Sequence, residues 1–516
     1  MNKPKLLFGQ SYYLRFDPKL WDAMQPYPPL GTMYAASYFR QQGYPVNLFD
    51  AMLATDETEW AATLDQHQPD IAIIYEDNFN YLSKMCLTRM RQAAFTMITM
   101  ARDRDCTVII CGSDATDHAE AYLQQGAHYV LIGEGEATLT ELLTHLTTNT
   151  IDQHQADILG LAYHTPNGPQ RNPRRPDIKT LDDLPFPAWD LIDVPRYRQI
   201  WLDNHGYYAM NIVTTRGCPY HCNWCAKPIW GQRYNARSPE NVAAEMKFLH
   251  DTYQPDYLWF ADDIMGLKPK WWPRFAAALQ QHNIRIPFKC LSRADLIVRD
   301  QDDLEAIAAA GCDIIWMGAE SGAQSVLNAM EKGTTVEQIY DATEKLHAAG
   351  IKVGFFLQFG YPGETRADID KTLQMVRDCA PDDIGISVSY PLPGTKFHNN
   401  VRAQLGAKQN WTDSADLAMM YAGPFTTAFY RQLHTVIHKE FRSRRTLALW
   451  QDVLKKPSTF SPHHLREAAA TIYRLATLPL ARYKLNQLAK QTNNNINLPP
   501  PMTLNEAAQP SPQGEQ

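Results

Sequence analysis

Twice along this 516-residue chain, short apolar runs alternate with longer amphipathic ones. That alternation restricts the fold more than any other feature, because strand–helix–strand units build parallel sheets covered on both faces. The first pass occupies residues 1–147. Its strands are Lys5 to Phe8, Val46 to Phe49, Ile71 to Tyr75, Thr107 to Cys111 and Tyr129 to Ile132. Its helices are Leu30 to Gln42, Tyr81 to Arg102 and Ala137 to His145. Ligands of such sheets bind beyond the carboxyl ends of the strands. The candidate binding edge is therefore the loops Gln10 to Asp17, Asp50 to Leu53, Glu76 to Tyr81, Gly112 to Thr116 and Gly133 to Glu136.

The second pass occupies residues 205–400. Strands at Ala209 to Thr214, Tyr257 to Phe260, Phe288 to Ser292, Asp313 to Met317, Lys352 to Phe359 and Asp383 to Ser389 alternate with helices. Those helices are Pro239 to Thr252, Lys270 to His282, Asp302 to Ala310, Val336 to Ala349 and Arg366 to Cys379. Such units make a partial (β/α)6 TIM barrel, with active residues at the carboxyl ends of its strands. Residues 148–204 form a connector rich in proline, as in Asn172-Pro-Arg-Arg-Pro, which argues against regular elements there. Gln409 to Arg445 and Ser461 to Gln491 read as helices of a C-terminal domain, residues 401–491. The Asn-, Pro- and Gln-rich residues 492–516 are expected to be a disordered tail. The expected class is α/β: a doubly wound N-terminal sheet, a partial barrel and a helical domain.

Net charge is −7 and no basic stripe with interleaved aromatics occurs, so no nucleic-acid partner is expected. The longest apolar runs are too short for a transmembrane segment, and the N-terminus does not read as a signal peptide. Nine cysteines, mostly scattered, suit a reducing cytoplasm and not a disulfide framework.

Three of those cysteines stand together in Thr215-Arg-Gly-Cys-Pro-Tyr-His-Cys-Asn-Trp-Cys-Ala. Cys218, Cys222 and Cys225 could hold three irons of a cubane 4Fe–4S cluster, leaving the fourth iron open. A Cys₃His zinc site with His221 is the competing reading. Structural zinc sites usually split their ligands into two separated pairs, and no second pair is near.

The spacing CxxxCxΦC, with Trp224 as the aromatic, resembles the signature of the radical S-adenosylmethionine (SAM) superfamily. In that family the open iron chelates the amino and carboxylate groups of SAM. An electron then cleaves SAM to methionine and a 5′-deoxyadenosyl radical. The first 147 residues resemble the cobalamin-binding domain fused ahead of many such enzymes. That likeness rests on Pro28-Pro-Leu-Gly-Thr-Met-Tyr-Ala-Ala, Gly43-Tyr-Pro-Val-Asn-Leu-Phe-Asp-Ala, Cys111-Gly-Ser-Asp-Ala-Thr and Val130-Leu-Ile-Gly-Glu-Gly-Glu. The DxHxxG motif that supplies a histidine beneath cobalt is absent, so the resemblance implies cobalt held without one. Ser113, Asp114 and Glu134 are the candidate cobalamin contacts.

In the barrel, Trp224 either packs on the SAM adenine or is a core aromatic. Arg293 offers a fork for the SAM carboxylate, with an ion pair to Asp295 as the alternative. Glu320 matches the acidic residue that accepts from the SAM ribose. Gly360 and Gly363 fall where the family's backbone approaches the adenine, although Tyr361-Pro362 departs from the usual pattern. Asp262 and Asp263 suit either polar ligands or capping.

The order of parts looks like the branch containing anaerobic magnesium-protoporphyrin IX monomethyl ester cyclase and cobalamin-dependent methyltransferases. It implies either C-methylation or oxidative cyclisation at an unactivated carbon of a small-molecule substrate. An electron donor such as flavodoxin or ferredoxin is implied as partner. A non-catalytic metal- or cobalamin-binding regulator is the alternative from another class.

Overall fold

The structure is a computed structural model that describes residues 3–85, 87–225, 229–455 and 462–491. Seven strands form the first sheet: β1 (Leu6–Gly9), β2 (Val46–Leu48), β3 (Ile71–Tyr75), β4 (Thr107–Cys111), β5 (Tyr129–Leu131), β6 (Leu161–Thr165) and β7 (Gly168–Arg171). Their order is β2-β1-β3-β4-β5-β6-β7, parallel up to β5. The central β3 is buried along its whole length, which is why its sequence, Ile-Ala-Ile-Ile-Tyr, is unbroken by polar residues.

The connector is more regular than its prolines suggest. Strands β6 and β7 form an antiparallel hairpin that extends the first sheet, with Pro169 on the edge strand where its missing N–H costs no ladder bond. A helix follows at Val194–His205. Pro195 sits in its first turn, where a proline is tolerated, and Asp193 caps it by accepting from the Arg196 N–H at 3.1 Å.

Two expected helices also differ. The segment Tyr81 to Arg102 breaks after Lys84 and resumes as Thr88–Arg102. There the Thr88 N–H donates to the Trp411 carbonyl at 2.9 Å, a tertiary tether invisible to periodicity. Residues 409–426 are loop, and the helix begins only at Thr427. That loop is pinned from both sides. The Trp411 N–H and Asn410 side chain donate to the Tyr390 hydroxyl at 3.1 and 3.2 Å. Ser414 donates its hydroxyl to Asp17 at 2.6 Å and its N–H at 3.2 Å. The helices Thr427–Lys455 and Pro462–Leu488 then run antiparallel. The expected tail, 492–516, lies outside the described residues.

The second sheet holds β8 (Ala209–Ile212), β11 (Tyr257–Phe260), β12 (Phe288–Ser292), β13 (Cys312–Glu320), β14 (Lys352–Phe359) and β15 (Asp383–Val388). A two-stranded ribbon, β9 (Thr215–Arg216) with β10 (Asn235–Ala236), follows β8. The sheet is wholly parallel in the order β15-β14-β13-β12-β11-β8, a half-barrel whose end strands do not meet. One apolar cluster joins the two halves, linking Tyr12, Met33 and Phe79 beside the first sheet to Trp201, Met210 and Trp230. Phe79, beyond the end of β3, stacks on Trp230 at 5.0 Å. The carboxyl edge of the first sheet thus faces the loop that carries the three cysteines.

Candidate active site

The cysteine loop is tied down at both ends. Asp262, at the end of β11, accepts from the backbone N–H groups of Thr214 and Thr215 at 2.7 Å each. It also accepts from their hydroxyls at 2.7 and 3.0 Å. Burial raises the Asp262 carboxyl to about 6, against these bonds, which favour its charged form. Asp262 therefore anchors the cysteine loop instead of capping the turn that follows it, whereas Asp263 reaches Lys84 across the two halves at 2.6 Å. Gly217, at φ +82°, lies so close to the Arg233 carbonyl that no side chain fits there.

Asn223 fixes the middle of the loop. Its N–H donates to the Met330 carbonyl at 3.0 Å, its side-chain amide to Ala329 at 2.7 Å, and its carbonyl accepts from Phe397 at 2.9 Å. Tyr361 adds a bond from its hydroxyl to Asn223 Oδ1 at 3.0 Å. Trp224 lies against a small apolar cluster that includes Ala323, Tyr361 and Phe397, with its indole N–H buried and without a partner.

Cys218, Cys222 and Cys225 are each partly exposed, whereas Cys106, Cys111, Cys290, Cys312 and Cys379 are buried. Arg293, just beyond β12, donates to Cys222 Sγ at 3.6 Å. The same guanidinium pairs with Asp295 at 2.9 Å, donates to the Lys332 carbonyl at 2.7 Å and lies 3.7 Å over the Tyr220 ring. Lys332 pairs with Glu320 at 2.8 Å. Burial pulls the Lys332 ammonium down, but Glu320 and Cys222 outweigh it and hold the group above its ordinary value.

Glu320 stands at φ +54°, where the register between β13 and β14 shifts. A bulge of this kind re-aims a side chain, and a non-glycine residue in the left-handed region costs about 1–3 kcal/mol. The strain turns the carboxylate toward Lys332. Two cations, two carboxylates and Cys222 thus converge at the ends of β12 and β13.

This setting suits an iron–sulfur cluster. Thiolates are favoured beside cations, and the three sulfurs stay accessible on one loop. Among the described residues, no three His, Cys, Asp or Glu side chains converge as ligands of a single ion, and His221 is exposed.

Gly360 and Gly363 both have positive φ, +81° and +80°. The Gly360 N–H donates to Glu364 at 2.6 Å, and its carbonyl accepts from Tyr421. Burial raises the Glu364 carboxyl to about 8.

At the opposing edge, Asp114 accepts from Arg91 at 2.6 Å and from the Tyr122 hydroxyl at 2.7 Å. Burial pushes its carboxyl up, but these partners outweigh that and hold it below its ordinary value. Glu134 pairs with Arg216 and accepts from the Ile178 N–H at 2.5 Å. Arg216 also reaches Glu136 at 2.8 Å. Ser113 Oγ, Gln10 Nε2, Asn78 Oδ1 and Glu136 Oε2 are buried without partners. Unpaired polar atoms gathered at one sheet edge fit a polar, amide-bearing ligand such as cobalamin.

Arg216, Asn223 and Lys332 were not legible as site residues, whereas Glu136 falls in the loop Gly133 to Glu136 expected at the binding edge. Only Arg216 left a trace, as a charge inside an otherwise uncharged strand end.

Residues 212–376 match the model of the radical SAM superfamily. An uncharacterized methyltransferase of Pyrococcus horikoshii is 29% identical over 72% of this chain and 77% of its own length. The anaerobic magnesium-protoporphyrin IX monomethyl ester cyclase of Rubrivivax gelatinosus is 25% identical over 71% of this chain and 65% of its own. In structure, the chain is similar to the cobalamin-dependent S-adenosylmethionine radical enzyme OxsB, solved with aqua-cobalamin and S-adenosylmethionine bound. The TM-score is 0.61 at 19% identity, over 72% of this chain and 52% of that one. Residues 212–376 thus form a radical SAM domain, and the chain shares its fold with OxsB over 72% of its length.

Proposed function

We propose that this protein is a cobalamin-dependent radical SAM enzyme acting on an unactivated carbon of a small molecule, by C-methylation or oxidative cyclisation. One observation carries the reading. Three accessible thiols share a loop at the carboxyl end of a half-barrel, with the Arg293 guanidinium 3.6 Å from one of them. When bound, a 4Fe–4S cluster with SAM supplies a carbon radical, and cobalamin supplies a transferable methyl group or redox partner.

In this reading Cys218, Cys222 and Cys225 hold the cluster. Arg293 and Lys332 offset its negative charge and offer donors to the SAM carboxylate. Glu320 accepts from the ribose, Trp224 and the Gly360–Gly363 turn bound the adenine, and the strained bulge keeps Glu320 aimed there. Residues 1–147, with Ser113, Asp114 and Glu134 at their edge, hold cobalamin against the barrel of residues 205–400, and the pair of helices after residue 427 flanks it. The relatives include both a methyltransferase and a cyclase, which supports radical carbon chemistry, and none supports the non-catalytic regulator. A reducing cytoplasm and a flavodoxin- or ferredoxin-type electron donor belong to the same reading. Among the described residues no helix is long and apolar enough to cross a membrane.

Anaerobic reconstitution with iron, sulfide and cobalamin tests the reading. About four irons per chain and 5′-deoxyadenosine from SAM are expected. S-adenosylhomocysteine formed alongside marks methylation, and its absence marks cyclisation. Stoichiometric zinc in protein purified without air, or no SAM cleavage after reduction, overturns it.

A further inference from the structure

The half-barrel has an inner face that the cysteine loop does not use. Along β14, Val353, Phe355, Leu357 and Phe359 are buried on the outer face, while Phe356 points inward and is 39% exposed. Trp316 of β13 lies flat against it, ring to ring at 4.8 Å and 28°. Two glycines make this possible. A side chain at Gly354 would run into the Trp316 indole, and one at Gly385 would press on Phe356. Across β12 the wall continues to Trp259, paired in register with Lys289.

Lys289 is the odd member of this wall. Its ammonium sits 4.7 Å over the Trp259 ring and 5.5 Å over Tyr27. Among the described residues, no carboxylate lies within ion-pair distance of it. Asp313, on the neighbouring strand, is already taken by Lys352 at 2.9 Å and by the Tyr257 hydroxyl at 3.1 Å. Asp383 acts on Lys289 only from a distance, and burial, the larger effect, pulls the ammonium down to about 8. A half-buried amine disfavoured by its surroundings, set beside an aromatic wall with no carboxylate within ion-pair distance, gains from an anion that completes it.

We propose that the inner face of the half-barrel binds the substrate, and that this substrate carries a flat apolar body and an acidic group. Trp259, Trp316 and Phe356 receive the body, Gly354 and Gly385 keep the wall flat, and Lys289 pairs with the acid. The proposal rests on the reading that the barrel houses the reaction, and it assigns the substrate class.

The test compares 2-naphthoate with its uncharged isostere 2-naphthamide by calorimetry, on the full chain reconstituted without air. One site per chain is expected, with the carboxylate bound about tenfold tighter than the amide, as one ion pair provides. Lys289→Met should abolish that preference, Lys289→Arg should retain it, and Phe356→Ala should weaken both ligands alike. Equal binding of the two ligands, no binding of either, or a preference that survives Lys289→Met overturns the proposal. SAM cleavage is measured on the same samples. Cleavage without the naphthoate preference removes only the substrate site. The preference without cleavage removes only the reaction assigned to the barrel.

Discussion

Glu320 owes its position to two unfavourable choices, a left-handed backbone and a buried carboxylate, and Lys332 offsets the second. Glu320→Gln keeps the shape but removes the charge that would grip the ribose. SAM affinity should fall by about 1.5–3 kcal/mol, measured by equilibrium binding under anaerobic conditions. Glu364 makes a different prediction. Its carboxyl holds a proton up to about pH 8 in the folded chain, against an ordinary value of 4.5. The folded state therefore binds the extra proton between those values. The associated stability is full below the lower value and is lost as pH rises through the higher one. Within that window stability should decline by up to ~1.4 kcal/mol per pH unit. Glu364→Gln should flatten this part of the curve of melting temperature against pH.

Among the elements, the strands were the most legible, because a buried parallel strand needs a nearly unbroken apolar run, and β3 and β4 have one. What sequence could not show was where tertiary bonds override local preference. The break after Lys84 depends on Trp411, and the late start of the helix at Thr427 depends on Tyr390 and Asp17. Proline misled in the connector, since its cost depends on whether it meets a helix interior or a first turn. At the site, the three cysteines were legible from spacing, and Lys332 was not, because only the bulge in β13 brings Glu320 round to it. Asp262 shows how one element holds another. Its removal by Asp262→Ala orphans two buried N–H groups of the cysteine loop, at about 1–3 kcal/mol each. The variant should reconstitute with less iron per chain and melt lower, as read by iron assay and calorimetry.

At the scale of the whole molecule, the two halves meet through ions as well as through a shared apolar cluster. Arg216, in β9 just after the first barrel strand, lies buried between Glu134 and Glu136, which follow β5 of the first sheet. Breaking such a pair strands the remaining charges, at about 3–5 kcal/mol. Arg216→Met should therefore destabilise the entire chain in denaturant titration. It should also speed hydrogen exchange at residues 133–136 and 214–218 together, because the two stretches share one clamp.

Asp17 accepts from Ser414, and 397 residues separate them. Translation proceeds at roughly 5–20 residues per second, so about 20–80 s elapse between the synthesis of the two partners. Throughout that interval the edge of the first sheet exists without its cover. The face that Ser414 comes to cover is therefore open for a minute or so during synthesis, and shielding it over that interval should raise the yield of folded protein.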